Sequence, residues 1–278
     1  MNKLKQYANK PLSFIALILI IISTLITALT VIFIIGYILV KGVPNLSVDL
    51  LSLKYSSANQ SMLPSIINTV YLTALTLLLA VPVGIFSAIY LAEYARKSSF
   101  FVKIINVANE TLSGIPSIVY GLFGFLAFVI SKKWGYSLLA GVITLAIMVL
   151  PLIIRTSQEA MLGVDNSFRE ASYGLGAGKL RTIFKIVLPS AMPGILSGII
   201  LAIGRIVGET AALIYTAGTV PEVATSLTSS SRTISVHLYC LLNEGLYTEQ
   251  AYATAVVLIV FVVIINALSN FLAKKIIK

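Results

Sequence analysis

Six stretches of this sequence are long and apolar enough to cross a lipid bilayer: Leu12 to Val40, Pro64 to Leu91, Leu112 to Ile130, Tyr136 to Ile154, Ser190 to Gly218 and Ala251 to Ala273. A helix rises about 1.5 Å per residue and the hydrocarbon layer is about 30 Å thick, so one crossing takes roughly 20 residues. Inside that layer no water is present to satisfy backbone N–H and C=O groups, and a helix satisfies them within one segment. The expected fold is therefore all-α, a polytopic membrane protein with six transmembrane helices. With 58% apolar and 11% charged residues and a mean hydropathy of +0.98, little of the chain is available for a soluble domain. Lys3, Lys5 and Lys10 ahead of the first stretch imitate a signal peptide. The apolar run is longer than a signal's core, so the first helix is expected to be retained.

The chain carries a net charge of +10. Nucleic acid would require those cations on one soluble face, whereas here they fall between apolar runs, and no nucleic-acid partner is expected. Their distribution instead reports topology. Fourteen cations (Lys3, Lys5, Lys10, Arg96, Lys97, Lys103, Arg155, Arg169, Lys179, Arg181, Lys185, Lys274, Lys275 and Lys278) fall on one set of connections, against five (Lys41, Lys54, Lys132, Lys133 and Arg232) on the other. The positive-inside rule then places both termini and the connection before the fifth stretch in the cytoplasm. Thr219 to Gln250 becomes the longest external connection and reads as a solvated loop, with docking of a partner as the alternative. Cys240 and His237 are the single cysteine and histidine, so no intramolecular disulfide, redox pair or metal site is expected, and His237 reads as a structural or loop residue.

One charged, glycine-punctuated segment, Glu170 to Pro189, stands out between two apolar spans. Ser167 followed by Glu170 fits a capping box that would start a short helix. Gly174, Gly176 and Gly178 would then break it. Leu180, Ile183, Phe184 and Val187 recur at i, i+3, i+4 and i+7, one apolar face of a second short helix. Pro189 marks the passage into the next membrane helix. No strand precedes Gly-Leu-Gly-Ala-Gly and no Gly-Lys-Ser/Thr follows it, which argues against a nucleotide-binding turn. Docking to a soluble partner and resting on lipid headgroups both remain open on periodicity alone.

The residues Glu170, Ala171, Ser172, then Gly176, then Ile186, Leu188 and Pro189 keep every spacing of the EAA motif, and the segment resembles that of ABC importer permeases with a MetI-like transmembrane domain. Ser172 for the second Ala is the one departure. The resemblance implies coupling helices that dock into a cytoplasmic ATPase subunit, with Glu170, Ala171, Gly176, Phe184, Ile186, Leu188 and Pro189 at the contact. It divides the chain into residues 1–63, an N-terminal helix and external connection, and 64–275, the permease domain, with its coupling loop at 166–189.

Arg205 and Glu209 lie four residues apart in the fifth span, on one face of the expected helix. A charge at the bilayer centre costs at least about 2.5–3.5 kcal/mol. Two readings stand: an ion pair that orients the helix, or a guanidinium offered to an oxyanion, with Glu209 holding Arg205 when no anion is bound and Thr210 beside it. Gly194 with Gly198 and Gly204 with Gly208 are small-xxx-small steps that imply a neighbouring helix. Thr69, Thr73 and Thr76 form a polar stripe expected to bond their own helix backbone. Pro82, Pro116 and Pro151 are expected to bend spans.

Gly114 to Gly124 (Gly-Ile-Pro-Ser-Ile-Val-Tyr-Gly-Leu-Phe-Gly) and Gly204 to Thr210 (Gly-Arg-Ile-Val-Gly-Glu-Thr) are similar to phosphate-specific importer permeases. Ser235 to Tyr239, Asn243 to Gly245 and Ala251 to Ala255 look more like the PstA type than the PstC type. That resemblance implies a prokaryotic plasma (inner) membrane, a paralogous PstC-type permease, two PstB-type ATPase subunits holding ATP and magnesium, and an external PstS-type phosphate-binding protein. This chain itself would bind no cofactor and catalyse no reaction. Arg205 alone does not choose among phosphate, molybdate, tungstate and sulfate, and a membrane-embedded enzyme is the alternative from another class.

Overall fold

The computed structural model describes residues 11–96 and 99–277. Lys3, Lys5, Lys10, Lys97 and Lys278, used above for topology, lie outside the described residues. The chain is helical: α1 (Pro11–Gly42), α2 (Leu63–Ile89), α3 (Phe100–Gly114), α4 (Ser117–Gly124), α5 (Leu138–Leu162), α6 (Asn166–Gly174), α7 (Lys179–Thr182), α8 (Leu188–Val207), α9 (Ala211–Thr216), α10 (Ile234–Glu244) and α11 (Thr248–Ile277). Wider π turns extend three of them, Tyr90–Tyr94 after α2, Phe125–Ser131 after α4 and Ile183–Val187 between α7 and α8.

Helix α5 is the axis of the bundle, with α2, α3, α4, α8 and α9 packed around it. In its most apolar window 67% of the residues are buried, against 0% for α1, which touches mainly α11. Lipid offers no hydrophobic drive to bring helices together, so close approach has to come from small residues and polar contacts. Gly194 and Gly198 of α8 supply it: a Cβ at Gly194 would lie 2.6 Å from the Cβ of Ala160, and Gly198 faces Thr156, both on α5. Gly204 has open space beside it, so the second small-xxx-small step packs nothing within this chain.

Four expected spans are continuous helices and two are not. The stretch Leu112 to Ile130 is broken: α3 ends at Gly114, and the helix from Ser117 leaves at 101°. The Ile115-Pro116 step explains it, since Pro116 removes a donor and keeps Ile115 extended (ψ 131°). Tyr120 donates its hydroxyl to the Leu112 carbonyl (2.7 Å), satisfying a helix-end acceptor that the break exposes. Helices α2 and α5 run on through Pro82 and Pro151. The stretch Ser190 to Gly218 is also interrupted, at Gly208 to Thr210.

Thr219 to Gln250 is not a solvated loop. Its first half folds back over one end of the bundle, where Leu138 and Leu139 donate backbone N–H groups to Ser229 and Leu227. Buried Asn68 donates to the Glu222 carbonyl (2.8 Å) and accepts from the Ala224 amide (2.9 Å). Residues Ser231 to His237 are buried and lead into α10. The serines and threonines that suggest a wet loop are spent on turns and caps, with Thr233 accepting from the Val236 amide at the start of α10.

Candidate functional site

Two clusters carry the chemistry, one at the interrupted span and one in the segment between α5 and α8.

Arg205 sits in the last turn of α8, half-buried, and among the described residues its guanidinium enters neither of the ion pairs nor any side-chain hydrogen bond. Glu209 is not on the same helical face, because α8 ends at Val207 and the chain turns at Gly208. Its carboxylate points along the next helix instead, Oε1 accepting from the backbone N–H of Thr210 (3.2 Å) and Ala212 (3.0 Å). That is a helix N-terminus satisfied by an anion, which suits both the orphan donors and the helix dipole. The expected Arg205–Glu209 pair is thereby overturned: a buried carboxylate satisfied by two amides does not need the guanidinium.

The turn is held from three sides. Ser235 at the start of α10 donates to the Val207 carbonyl (2.6 Å), satisfying one of the orphan acceptors at the end of α8. A Cβ at Gly121 would lie 2.8 Å from the Cα of Ala212, so only glycine lets α4 approach the start of α9 this closely. Thr210 is half-buried, and its backbone carbonyl accepts from Leu213 and Ile214. Of the threonine stripe, Thr69 donates to the Ser65 carbonyl (2.6 Å) and accepts from the Ile234 amide (3.0 Å). Thr73 and Thr76 depart from expectation, each buried without a hydrogen-bond partner among the described residues.

The Glu170 to Pro189 segment folds as two short helices, with corrections to the details. Asp165, not Ser167, caps α6, accepting from the Ser167 amide (2.8 Å), so the capping box does not form. Asp165 is the residue just before the helix, from which its carboxylate reaches the second helical amide, whereas Ser167 already lies inside the first turn. The apolar face of the second helix splits: Ile183 and Val187 are fully buried against α2 and α5, while Leu180 and Phe184 are 63% and 45% exposed. The π turn at Ile183–Val187 takes five residues per hydrogen-bonded step, rotating the face that a 3.6-residue period would align.

Glu170, Ala171 and Gly176 are exposed, as is Pro189, and Leu188 and Ile186 are half-buried. A concave surface is lined by Phe168, Ala171, Leu175, Gly176, Arg181 and Ile186. Gly176 has φ +79°, a left-handed conformation that glycine takes without cost. Ser172, the departure from the motif, shares a buried 2.8 Å hydrogen bond with Thr182 and so joins the two helices.

Sequence reasoning missed two groups. Glu93 and Arg169 form a nearly buried ion pair (2.7 Å) across 76 residues, and no local spacing announces such a contact. Arg232, taken above for a loop cation, is 4% exposed beside His237, itself fully buried. The Tyr55 ring lies 4.6 Å from the guanidinium and edge-on to the imidazole. Burial, reinforced by the Arg232 charge, holds the His237 pKa down at about 3. The sequence signal was Thr233, a helix-capping residue placed directly before Ile234 and Val236, which marks a helix start rather than a loop.

Residues 80–278 match the family described as binding-protein-dependent transport system inner membrane component. The chain is 32% identical to the phosphate transport system permease protein PstA of Haemophilus influenzae over 95% of both chains. It is 34% identical to the PstA protein of Yersinia pestis, covering 98% of this chain and 93% of that one. A probable ABC transporter permease, YqgI of Bacillus subtilis, is 31% identical over 87% of this chain and 88% of its own length. Among solved structures, a bacterial ABC transporter that imports the acidic polysaccharide alginate aligns over 100% of both chains with a TM-score of 0.68 at 18% identity. The MetNI methionine transporter aligns over 77% of this chain and 93% of that one with a TM-score of 0.58 at 16% identity, and these two likenesses establish the fold. The chain therefore belongs to the inner-membrane permeases of binding-protein-dependent ABC importers, and within them to the PstA-type phosphate permeases.

Proposed function

We propose that this chain supplies half of a pathway for inorganic phosphate and couples it, through α6 and α7, to ATP hydrolysis in a separate subunit. The observation that carries this reading is Arg205 at the interrupted span, unpaired among the described residues, combined with relatives named for phosphate transport. A guanidinium presents forked donors that match a tetrahedral oxyanion, and one that holds no carboxylate can take an anion up and release it. Glu209 and Thr210 shape the turn that presents it. The α6–α7 end faces the cytoplasm with both termini, and the segment over the opposite end faces outward, in keeping with the distribution of Lys and Arg. A PstC-type permease completes the pathway, two PstB-type subunits bind ATP and magnesium, and a PstS-type protein delivers phosphate. The chain itself holds no cofactor.

Uptake of radiolabelled phosphate by the assembled complex, in competition with arsenate, sulfate and molybdate, tests the substrate. Arsenate, nearly isosteric with phosphate, is expected to compete alone. Inhibition by molybdate or sulfate at equal concentration would reassign the pathway to another oxyanion. For orientation, a cysteine at exposed Thr228 is expected to react with an impermeant reagent added outside, and labelling only from the cytoplasm would reverse the topology.

A further inference from the structure

Arg169 engages its whole guanidinium. Its Nε and Nη2 both donate to Glu93 Oε1 (3.1 and 2.7 Å), and Nη2 also donates to the Met161 carbonyl (2.8 Å). Its Nη1 donates to the Val164 carbonyl (2.7 Å) and to Asn166 Oδ1 (3.3 Å). A guanidinium has five N–H groups, and these five contacts use them all. The partners belong to three elements: Glu93 to the turn that ends α2, Met161 and Val164 to the end of α5 and the turn beyond it, and Asn166 to α6 itself.

Glu93 is 6% and Arg169 13% exposed at the side chain, so neither has water to fall back on. A pair of this kind resists separation because either charge would be left buried without a counterion. A second contact runs beside it, with the Lys179 ammonium at the start of α7 standing 4.4 Å from the Tyr94 ring centroid. Thus the Tyr90–Tyr94 turn grips α6 through Glu93 and α7 through Tyr94. Below it, Ala88 and Ile89 of α2 pack with Met161, Ile183 and Val187. The other ion pair among the described residues, Arg155–Glu159, lies within α5, is 60% and 63% exposed, and ties no two elements together.

We propose that Glu93 and Arg169 are positioning residues for transport: their bond makes the end of α2 and the α6–α7 segment move as one body, so displacement of the segment is delivered to α2. This rests on the reading of α6 and α7 as the contact with the ATPase. Proteoliposomes holding the complete complex, with inorganic phosphate and binding protein outside, allow phosphate imported and ATP hydrolysed to be measured together. Glu93→Ala cuts the tie to α2 and leaves the bonds of Arg169 to Met161, Val164 and Asn166 in place. We expect hydrolysis within about twofold of the unmodified complex and phosphate moved per ATP at least about tenfold lower, with Glu159→Ala, the control pair, unchanged on both measures. Should Glu93→Ala fail to assemble, Glu93→Gln, which keeps an acceptor oxygen, is expected to lower the same ratio about threefold. A normal ratio in every Glu93 variant that assembles would overturn the proposal, as would failure of both variants to assemble, since the pair would then only hold the fold. The docking reading is scored separately, by the ATPase retained on Gly176→Val, so its failure and that of the tie are told apart.

Discussion

Arg169 and Arg205 carry the same side chain into opposite circumstances. At the α6–α7 segment every donor of Arg169 is engaged and the group is nearly buried, so it can only move with what it holds. At the interrupted span Arg205 is half-buried and its natural counter-charge, Glu209, is committed to the backbone of α9. A saturated guanidinium is a fixture. An unsaturated one in a low-dielectric setting is a site, because whatever anion arrives meets donors that no internal partner has taken. On the reading proposed above, the two regions divide the work of a transporter between force transmission and ligand handling.

The sharpest way to break this contrast is at the site. Arg205→Gln keeps hydrogen-bonding capacity but no charge, and removing charge-assisted bonds worth about 3 kcal/mol should lower phosphate uptake about 100-fold. Complex assembly should be unchanged, and normal uptake by this variant would dismiss the anion pathway.

Next in size is the surface of the segment. A β-branched residue at φ +79° is strained by about 1–2 kcal/mol, so Gly176→Val should weaken ATPase co-purification roughly tenfold. Gly176→Asn, which tolerates that conformation, should retain most of it. Equal loss in both would show that bulk rather than backbone geometry decides the contact.

A third measurement concerns the buried residues Ser231 to His237, where burial again sets the charge. His237 is neutral in the fold, with a pKa of about 3 against an ordinary value of 6.5. Because the folded value is depressed, the unfolded chain binds the extra proton between those limits. Stability is complete above about pH 6.5 and falls with pH below it, by up to about 1.4 kcal/mol per unit. Thermal unfolding at pH 7 and pH 5 should therefore differ less in His237→Gln than in the parent, and an unchanged difference would assign the acid sensitivity elsewhere.

The smallest effect is expected at Glu209. Glu209→Gln keeps the oxygen that caps α9 and should hold uptake within about threefold, whereas Glu209→Ala loses about 1 kcal/mol of capping and should lower the melting temperature. A large loss of uptake in the Gln variant would restore the idea that the Glu209 charge itself serves Arg205.

What was legible in the sequence follows the range of the interactions. Spans such as Leu63–Ile89 and Leu138–Leu162 are visible because hydropathy is summed over residues next to each other. The two interrupted spans look continuous in sequence because composition does not change at a break. Pro116 signalled one, and nothing but Gly208 signalled the other. The exposed residues Glu170, Ala171 and Gly176 were found through motif spacing, which is local. Ser172–Thr182, only ten residues apart, was not anticipated, since it depends on how two helices fold over a glycine turn. Asn68 with the 222–232 segment, and Glu93 with Arg169, had no signal, their partners being between 76 and 164 residues away.

By itself the sequence determined that this chain lies in a membrane, how many apolar segments it has and which segment carries the EAA spacing, because each depends on residue type and on distances along the chain. Only the tertiary structure decided which charges are satisfied. Glu209 turned to a helix end, Arg169 to three elements and Arg232 to the face of a tyrosine ring, and these choices rest on competition among partners that meet only after folding. In an interior without water each polar group must find a partner or remain poised for one, and that outcome separates the fixture from the site.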